Sequence, residues 1–322
     1  MEKPLYTVTS TPHIHSTDTI DKTMRYVLLA LVPATIAGVV FFGLRALMII
    51  LISIAAAIIF EVLFQKTAKR PVTVSDGSAA VTGLLLGLVL PPAVPLWFPI
   101  VGAFVAIIVV KQLFGGLGQN FLNPALAARA VLMAAYALPM TAGFFEPQGL
   151  YNWTDIDVVA SPTPLAIIGS EGFYPAAADF VAAFVGNISG SIGETSVIAL
   201  LIGAAFLFYK KVISWHIPIC FIASAGVFVF IFNPNMLALY HLITGGLMLG
   251  AFFMATDYPT SPMTPMGKVV FGIGCGILTG IIRLFGGFPE GVAYAILLMN
   301  LTVPLIDRYV RPRVLGTKRR GA

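Results

Sequence analysis

Apolar runs long enough to cross a lipid bilayer recur along almost the whole chain of 322 residues. A spanning helix needs about 20 mainly apolar residues. The sequence predicts ten such runs, near residues 26–43, 46–64, 79–94, 97–114, 124–139, 195–209, 212–232, 236–255, 267–285 and 290–306. Only 10% of the residues are charged, against about 25% in soluble domains. We therefore expect an all-α polytopic membrane protein whose solvent is the lipid bilayer.

The distribution of lysine and arginine predicts the orientation, because short cytoplasmic loops carry an excess of both residues. Basic residues cluster in loop 65–78, at 210–211 and in the tail 307–322, whereas the stretch 130–209 contains none. We expect both termini in the cytoplasm, with residues 140–194 as an extracytoplasmic loop. Arg45 and Arg283 are exceptions, since both fall on the outer side. The net charge of +5 follows from this bias and does not indicate a nucleic-acid partner.

Two short stretches occur twice in the same order, which predicts an internal duplication. LFGG occurs at 113–116 and 284–287, and TGLLLGLVLPP (82–92) resembles TGGLMLGAFFMATDYPTSP (244–262). Five helices in each half would make two inverted repeats, at 26–139 and 195–306, with segments 1–25, 140–194 and 307–322 outside them. Inverted repeats with broken helices line binding sites or pathways. The alternative is close packing of glycine-rich helices.

Several kinds of chemistry lack their sequence signature. There is no phosphate-binding Walker loop, no GxGxxG after a strand and no HExxH. The cysteines, Cys220 and Cys275, stand alone in apolar runs, so an iron–sulfur or zinc site made by this chain is not expected. A disulfide between them stays open. We predict no metal ligands and no catalytic residues.

The outer loop contains a stiff polar segment, DIDVVASPTPLA, at 155–166. Thr163 lies between two prolines. Pro164 disfavours helical geometry at Thr163, and the ring of Pro162 fixes its own φ. Taken alone, this segment fits either a proline-rich turn or an extended, accessible acceptor site for a covalent group.

Asp157 precedes Thr163 by six residues, which resembles the flavinylation signature of subunits B and C of the Nqr complex and of the related subunits D and G of the Rnf complex. Thr163, Pro164 and Leu165 also match that family, whereas residues 160–162 (Ala-Ser-Pro) depart from its Ser-Gly-Ala. The resemblance extends over nearly the whole chain, through GLGQNFLNPALAARA (116–130), GSIGETS (190–196), FNP (232–234), TDYPTSP (256–262), GKVVFG (267–272) and FPEGVAYAILLMN (288–300).

The resemblance implies a membrane electron-transfer subunit that is not catalytic alone, with FMN attached to Thr163 as a phosphoester by a flavin transferase. It implies an Rnf complex in the inner membrane of a bacterial cell, which couples ferredoxin:NAD⁺ electron transfer to Na⁺ or H⁺ translocation. The partners would be the other Rnf subunits (RnfA, RnfB, RnfC, RnfE and RnfG), especially the flavoprotein RnfG. A second, non-covalent flavin such as riboflavin would lie nearer the cytoplasm. The alternatives are the NqrB protein of a Na⁺-pumping NADH:quinone reductase and a non-redox channel or carrier of urea-channel-like fold.

Five further polar residues are candidates for flavin binding: Asn120, Asn123, Arg129, Glu194 and Thr195. Arg129 would contact the flavin phosphate or a ring carbonyl, or else form an ion pair or reach the interface. Thr195 is the rival acceptor. Its alternative roles are capping a helix and contacting a flavin or phosphate at the helix N-terminus.

Other ionisable residues in or near the spans have weaker signals. Asp257 and Glu290 flank helix breaks and would line an ion path or cap helices. Glu61 and Lys111 lie near span ends, and we expect their side chains to reach the membrane surface. His241 is expected to be a packing residue with satisfied nitrogens, and the alternative is a proton relay.

Overall fold

The computed structural model describes residues 19–147, 161–171, 177–232, 237–286 and 291–310. All regular structure in these ranges is helical. The α-helices are α1 (Ile20–Thr67), α2 (Ser78–Val89), α3 (Phe98–Phe104), α4 (Pro124–Ala135), α5 (Ala137–Ala142), α6 (Pro164–Glu171), α7 (Ala177–Val185), α8 (Val197–Tyr209), α9 (His216–Phe232), α10 (Leu237–Ile243), α11 (Leu247–Leu249), α12 (Pro265–Phe285) and α13 (Val292–Tyr309). Segments Val105–Gln112 and Gly250–Met254 are π-helical, and Val74–Asp76 and Tyr258–Thr260 are 3₁₀ turns.

The first two predicted spans meet at a single glycine. Gly43, inside α1, has φ 69° and ψ −158°, a conformation that residues with a side chain rarely adopt. The two halves of α1 therefore form separate helical segments without an intervening loop.

The structure is that of a helical membrane protein. Among the described residues, three helices are long and apolar enough to cross a membrane: Ile20–Thr67, Pro265–Phe285 and Val292–Tyr309. Apolar helices of 10–17 residues cover Ser78–Val89, Phe98–Gln112, Pro124–Ala135, Val197–Tyr209 and His216–Phe232. The predicted run 236–255 is interrupted and consists of α10, α11 and the π-helical segment Gly250–Met254. The total of ten spans stays a prediction.

Glycines let the long helices pack closely. A Cβ on Gly83 of α2 would lie 2.7 Å from the carbonyl oxygen of Ser53 in α1. A Cβ on Gly276 of α12 would lie 2.6 Å from the carbonyl oxygen of Phe221 in α9. Small residues at such positions allow the van der Waals contact that holds helices together in lipid.

Glu61 and Lys111 form a buried ion pair, so the expectation that they reach the membrane surface is wrong. Each residue is 1% exposed, and Lys111 Nζ lies 2.9 Å from Glu61 Oε1. The ammonium also donates to Ser78 Oγ at 2.7 Å, and Gln112 Nε2 donates to Glu61 Oε1 at 2.7 Å. The start of α2 covers the pair, and each charge is neutralised where it lies.

Arg45 and Arg283, the two exceptions to the charge rule, satisfy carbonyl groups at helix breaks. Arg45 Nη2 donates to the carbonyl oxygens of Ala93, at 3.1 Å, and Val94, at 3.2 Å. Arg283 does the same at the break after α10. Hydrocarbon cannot solvate the carbonyl groups of an interrupted helix, so a local requirement places a cation there.

Candidate functional site

Thr163 immediately precedes α6. Its carbonyl oxygen accepts hydrogen bonds from the N–H groups of Ala166, at 2.9 Å, and Ile167, at 3.1 Å. Pro164 takes the first helical position, where a missing N–H has no consequence. The residue Thr163 is 8% exposed, and its hydroxyl has no hydrogen-bond partner in the described part of the chain. In this conformation the expectation of an accessible threonine is wrong, because the hydroxyl faces inward.

Two hydrogen bonds hold the residues directly before Thr163. The N–H of Ser161 donates to the carbonyl oxygen of Phe144 at 2.9 Å. Ser189 Oγ donates to the carbonyl oxygen of Pro162 at 2.8 Å. The segment is therefore fastened to two separate parts of the chain.

Thr163 and Thr195 share one small cavity of about 20 Å³, roughly the space that one water molecule needs. Its lining consists of Thr163, Pro164, Leu165, Ile188, Ser189, Gly190, Glu194, Thr195 and Gly245. Thr195 is 1% exposed, and its hydroxyl also has no partner among the described residues. The capping role considered for Thr195 is wrong, since Ser196 Oγ accepts from the N–H of Ala199 at the start of α8. Two threonines distant in sequence thus line the same cavity, and each carries a buried hydroxyl that no described residue bonds.

The GSIGETS loop is fixed by a buried ion pair. Arg129 Nη1 of α4 lies 2.9 Å from Glu194 Oε1, and Arg129 Nη2 donates to Ser191 Oγ at 3.4 Å. The N–H of Gly193 donates to the carbonyl oxygen of Leu88 at 2.8 Å. The ion-pair interpretation of Arg129 is confirmed, and a contact of Arg129 with flavin stays a prediction.

A turn of two glycines touches both walls of the small cavity. Gly245 and Gly246 have φ of +66° and +71°, which favours glycine at both positions. A Cβ on Gly245 would collide with Leu165 Cδ1, and one on Gly246 would lie 2.6 Å from the carboxyl carbon of Glu194. The absence of these two side chains allows the walls to approach.

A larger cavity of about 270 Å³ lies beside the same segment. It is lined by Glu146, Pro147, Ser161, Pro162, Pro164, Ile167, Asp179, Ala182, Asn187, Ile188, Ser189 and Tyr240. The ring of Tyr240 packs edge to face on Phe180, with 5.2 Å between the ring centroids. Both prolines beside Thr163 line this space, whereas the threonine lines the small cavity. The segment 161–164 is therefore the partition between the two cavities.

Asn120 and Asn123 lie at a third cavity, of about 70 Å³. Asn123 Oδ1 accepts from the N–H groups of Ala125 and Leu126, which caps α4, and its Nδ2 donates to the carbonyl oxygen of Met254 at 3.3 Å. Asn120 is 4% exposed. Lys111, the buried lysine of the ion pair, also lines this cavity.

Asp257 contributes a carboxyl group to the third cavity, from the connection after Gly250–Met254. Its Oδ2 accepts from Thr260 Oγ1 at 3.3 Å. Burial raises the pKa of this carboxyl to about 6. The cavity thus combines amide groups, an ammonium and a carboxyl that is easily protonated.

Comparison with known proteins identifies the group to which this chain belongs. A family described as NQR2, RnfD, RnfE matches residues 7–316. The chain belongs to this family. The D subunit of the Na⁺-translocating ferredoxin:NAD⁺ oxidoreductase complex of Acetobacterium woodii is 45% identical over 313 residues, covering 96% of this chain and 95% of that protein. The D subunit of the proton-translocating ferredoxin:NAD⁺ oxidoreductase complex of Clostridium ljungdahlii is 42% identical, covering 99% and 98%.

The same relationship extends to more distant members of the NQR2, RnfD, RnfE family. The D subunit of the ion-translocating oxidoreductase complex of Halorhodospira halophila is 36% identical, covering 97% of this chain and 96% of that protein. The resemblance inferred from the sequence is thereby confirmed at full length. These relatives are named as subunits of ion-translocating oxidoreductase complexes.

The structure does not describe two of the predicted residues and contradicts the expectation for a third. Asp157 and Glu290 lie outside the described residues. His241 is 4% exposed, but neither ring nitrogen has a partner within the described ranges, so the expectation of satisfied nitrogens is wrong. Sequence reasoning missed Ser189 and the role of Arg283. The only signal for Arg283 was its conflict with the charge rule.

Proposed function

We propose that this chain is RnfD, the membrane electron-transfer subunit of an Rnf-type complex, with FMN covalently attached to Thr163. One observation carries the assignment. Thr163 is a buried hydroxyl without a partner among the described residues, in the loop position that the family uses for attachment. A buried unpartnered hydroxyl costs about 1–3 kcal/mol, and such a cost is commonly retained at functional sites.

Attachment requires a flavin transferase and FAD. The Thr163 Oγ attacks the phosphorus next to the riboflavin moiety, and a new O–P bond forms. The P–O bond of the pyrophosphate breaks, AMP leaves, and the hydroxyl proton is released. Bound FMN would supply electron transfer through its ring, while this chain would position the tether and exclude water.

The hydroxyl must leave the small cavity for this reaction. A cavity of about 20 Å³ holds no phosphoryl group, whereas the neighbouring cavity of about 270 Å³ offers room on the other side of the same segment. We infer that segment 161–164 swings out when the hydrogen bonds of Ser161 and Ser189 open. Arg129, Glu194 and Thr195 remain as the polar groups behind the attachment point.

A second flavin, non-covalent and riboflavin-like, would lie nearer the cytoplasm. The third cavity offers polar groups for it, but at about 70 Å³ this cavity would have to widen to hold the ring. One flavin cannot conduct across a hydrocarbon core about 30 Å thick. Asn120 and Asn123 would supply amide groups there, and the ammonium of Lys111, which is paired with Glu61, would line the site. Asp257 completes a polar lining of suitable chemistry for a ring with both donors and acceptors.

The inverted-repeat architecture and the orientation belong to the same proposal. Gln112 and Arg283 occupy the same position before the two LFGG copies. Lys111, next to Gln112, reaches the start of α2, and Arg283 reaches the residues before α11. These contacts from related positions support two inverted five-helix repeats. The distribution of lysine and arginine supports both termini in the cytoplasm and loop 140–194 outside.

The chain would receive electrons from the flavoprotein RnfG and pass them inward, while ferredoxin and NAD⁺ bind other subunits. The coupling ion stays open between Na⁺ and H⁺. A relative named Na⁺-translocating and one named proton-translocating are 45% and 42% identical to this chain. Overall similarity therefore does not distinguish the ions.

The test uses full-length chain co-expressed with a flavin transferase. We expect in-gel flavin fluorescence and a flavinylated peptide containing Thr163. Thr163→Val should lose the label and Thr195→Val should retain it. Both variants should fold, because neither hydroxyl has a partner to lose among the described residues. An unlabelled wild-type chain would refute the proposal and favour the channel or carrier alternative. Gene neighbours and the electron acceptor, NAD⁺ or quinone, would distinguish Rnf from Nqr.

A further inference from the structure

Arg283, in the last turn of α12, holds the turn that interrupts the helix after α10. Its guanidinium donates to the carbonyl oxygen of His241. It also donates to the carbonyl oxygens of Thr244 at 3.1 Å and of Gly245 at 2.8 Å. These carbonyls end α10 and begin the break, so they lack helical partners. A planar guanidinium with five N–H groups can span three acceptors, which the point charge of lysine does not reproduce.

The same turn packs against the helix that follows Thr163. A Cβ on Gly245 would collide with Leu165 Cδ1 on one side and lie 2.9 Å from Arg283 Nη2 on the other. Leu165 is 4% exposed and belongs to the first turn of α6. The backbone of Gly245 is therefore held between the arginine and the start of α6.

The next residue of the turn meets the opposite wall. A Cβ on Gly246 would lie 2.6 Å from Glu194 Oε1. Glu194 directly precedes Thr195, whose hydroxyl lines the cavity. The position of the turn consequently sets the separation between the Thr163 wall and the Thr195 wall.

We propose that Arg283 is a positioning residue for the flavin-attachment site. It fixes the Gly245–Gly246 turn, and the turn fixes Leu165 at the start of α6 and Glu194. These contacts hold the helix that directly follows Thr163 and so position segment 161–164, which carries the tether. This inference rests on the proposed attachment of FMN to Thr163. It adds a requirement for a residue that lies far from Thr163 in the sequence.

Arg45 provides a matched control. It is the other arginine predicted on the outer side, and it also donates to two break carbonyls, those of Ala93 and Val94. Neither Arg45 nor these partners line the two cavities beside Thr163. Replacing Arg45 removes the same charge and similar hydrogen bonds without touching the turn.

The experiment compares Arg283→Gln, Arg283→Lys and Arg45→Gln in full-length chain labelled by a flavin transferase and held in lipid nanodiscs. The readouts are the fluorescence anisotropy and the midpoint potential of the Thr163-linked flavin, beside the Tm. We expect Arg283→Gln to lower the anisotropy toward that of a free flavinylated peptide and to shift the potential. Arg283→Lys should restore part of both, and Arg45→Gln should lower only the Tm.

Leu165→Ala breaks the contact between the turn and α6 with the bonds of Arg283 intact, and should reproduce the loss of anisotropy. Leu165→Ala serves as the test of the inference if Arg283→Gln does not fold. The inference would be overturned if Arg283→Gln kept the wild-type anisotropy and potential. If Arg283→Gln does not fold, the same result in Leu165→Ala would overturn it. In both cases the attachment proposal would stay in place. Equal changes in Arg45→Gln would also overturn the inference. A wild-type chain without flavin on Thr163 would overturn both.

Discussion

The Glu61–Lys111 pair allows a quantitative test of how this protein keeps charges inside a membrane. Lys111→Met removes the ammonium and retains most of the apolar stem. The Glu61 carboxylate then stays at 1% exposure but keeps Gln112 Nε2 as a donor at 2.7 Å, with Gln65 Nε2 at 3.5 Å. Loss of one partner of a buried ion pair lowers the free energy of unfolding by about 3–5 kcal/mol. Because the two glutamine donors remain, we expect the loss for Lys111→Met to lie near the lower end of this range.

The reverse substitution, Glu61→Leu, should cost more. Among the described hydrogen bonds of the Lys111 ammonium, it leaves only the one to Ser78 Oγ, at 2.7 Å. We expect about 5 kcal/mol, the upper end of the range. The order of the two single variants is the specific consequence of this geometry, because a generic ion pair would make them equal.

The double variant Glu61→Leu/Lys111→Met removes both charges together. It leaves the amide of Gln112 without its buried acceptor, at about 1–3 kcal/mol, whereas Ser78 Oγ keeps its hydrogen bond to Asp76 Oδ1 at 2.6 Å. The double variant should therefore be less destabilised than Glu61→Leu alone. The assay is the unfolding free energy from denaturant titration in mixed micelles. A double variant that loses the sum of both single effects would refute the reasoning, because the two side chains would then act independently.

Three further predictions concern the caps, the buried histidine and the third cavity. Asn123→Ala should lower the free energy of unfolding by about 2 kcal/mol, because it removes a helix cap and the hydrogen bond to Met254. Ser196→Ala removes a helix cap alone and should lower it by about 1 kcal/mol. Equal losses would contradict a stabilising role for the bond between Asn123 and Met254. His241→Phe should leave the Tm unchanged or raise it, since no described residue bonds either nitrogen; a loss of electron transfer with a normal Tm would instead indicate a proton-transfer role. Because the folded-state pKa of Asp257 is raised to about 6, the folded protein binds this proton more tightly than the unfolded chain, so stability should fall as pH rises to that value. Asp257→Asn should flatten this part of the pH–stability curve, and an unchanged slope would exclude Asp257 as its cause.

Much of the fold follows from one-dimensional patterns, and the exceptions have local causes. Apolar runs locate helices such as Pro265–Phe285 and Val292–Tyr309 because lipid requires every backbone group to be bonded within its own helix. The run 236–255 looks equally continuous, yet it is interrupted at Gly245 and Gly246, which adopt positive φ. A hydropathy profile does not show this break, because it depends only on neighbouring residues, whereas the turn is stabilised by Arg283 from a distant helix.

The sequence alone determined the class of the protein, its family and the candidate acceptor Thr163, since these depend on composition and on residues close together in the chain. Only the tertiary structure showed that Thr163 is buried, that it shares a cavity with Thr195, and that Glu61 is paired with Lys111. Burial and pairing depend on contacts between distant segments, whose energies depend on distance and local polarity. Those quantities exist only once the helices have packed.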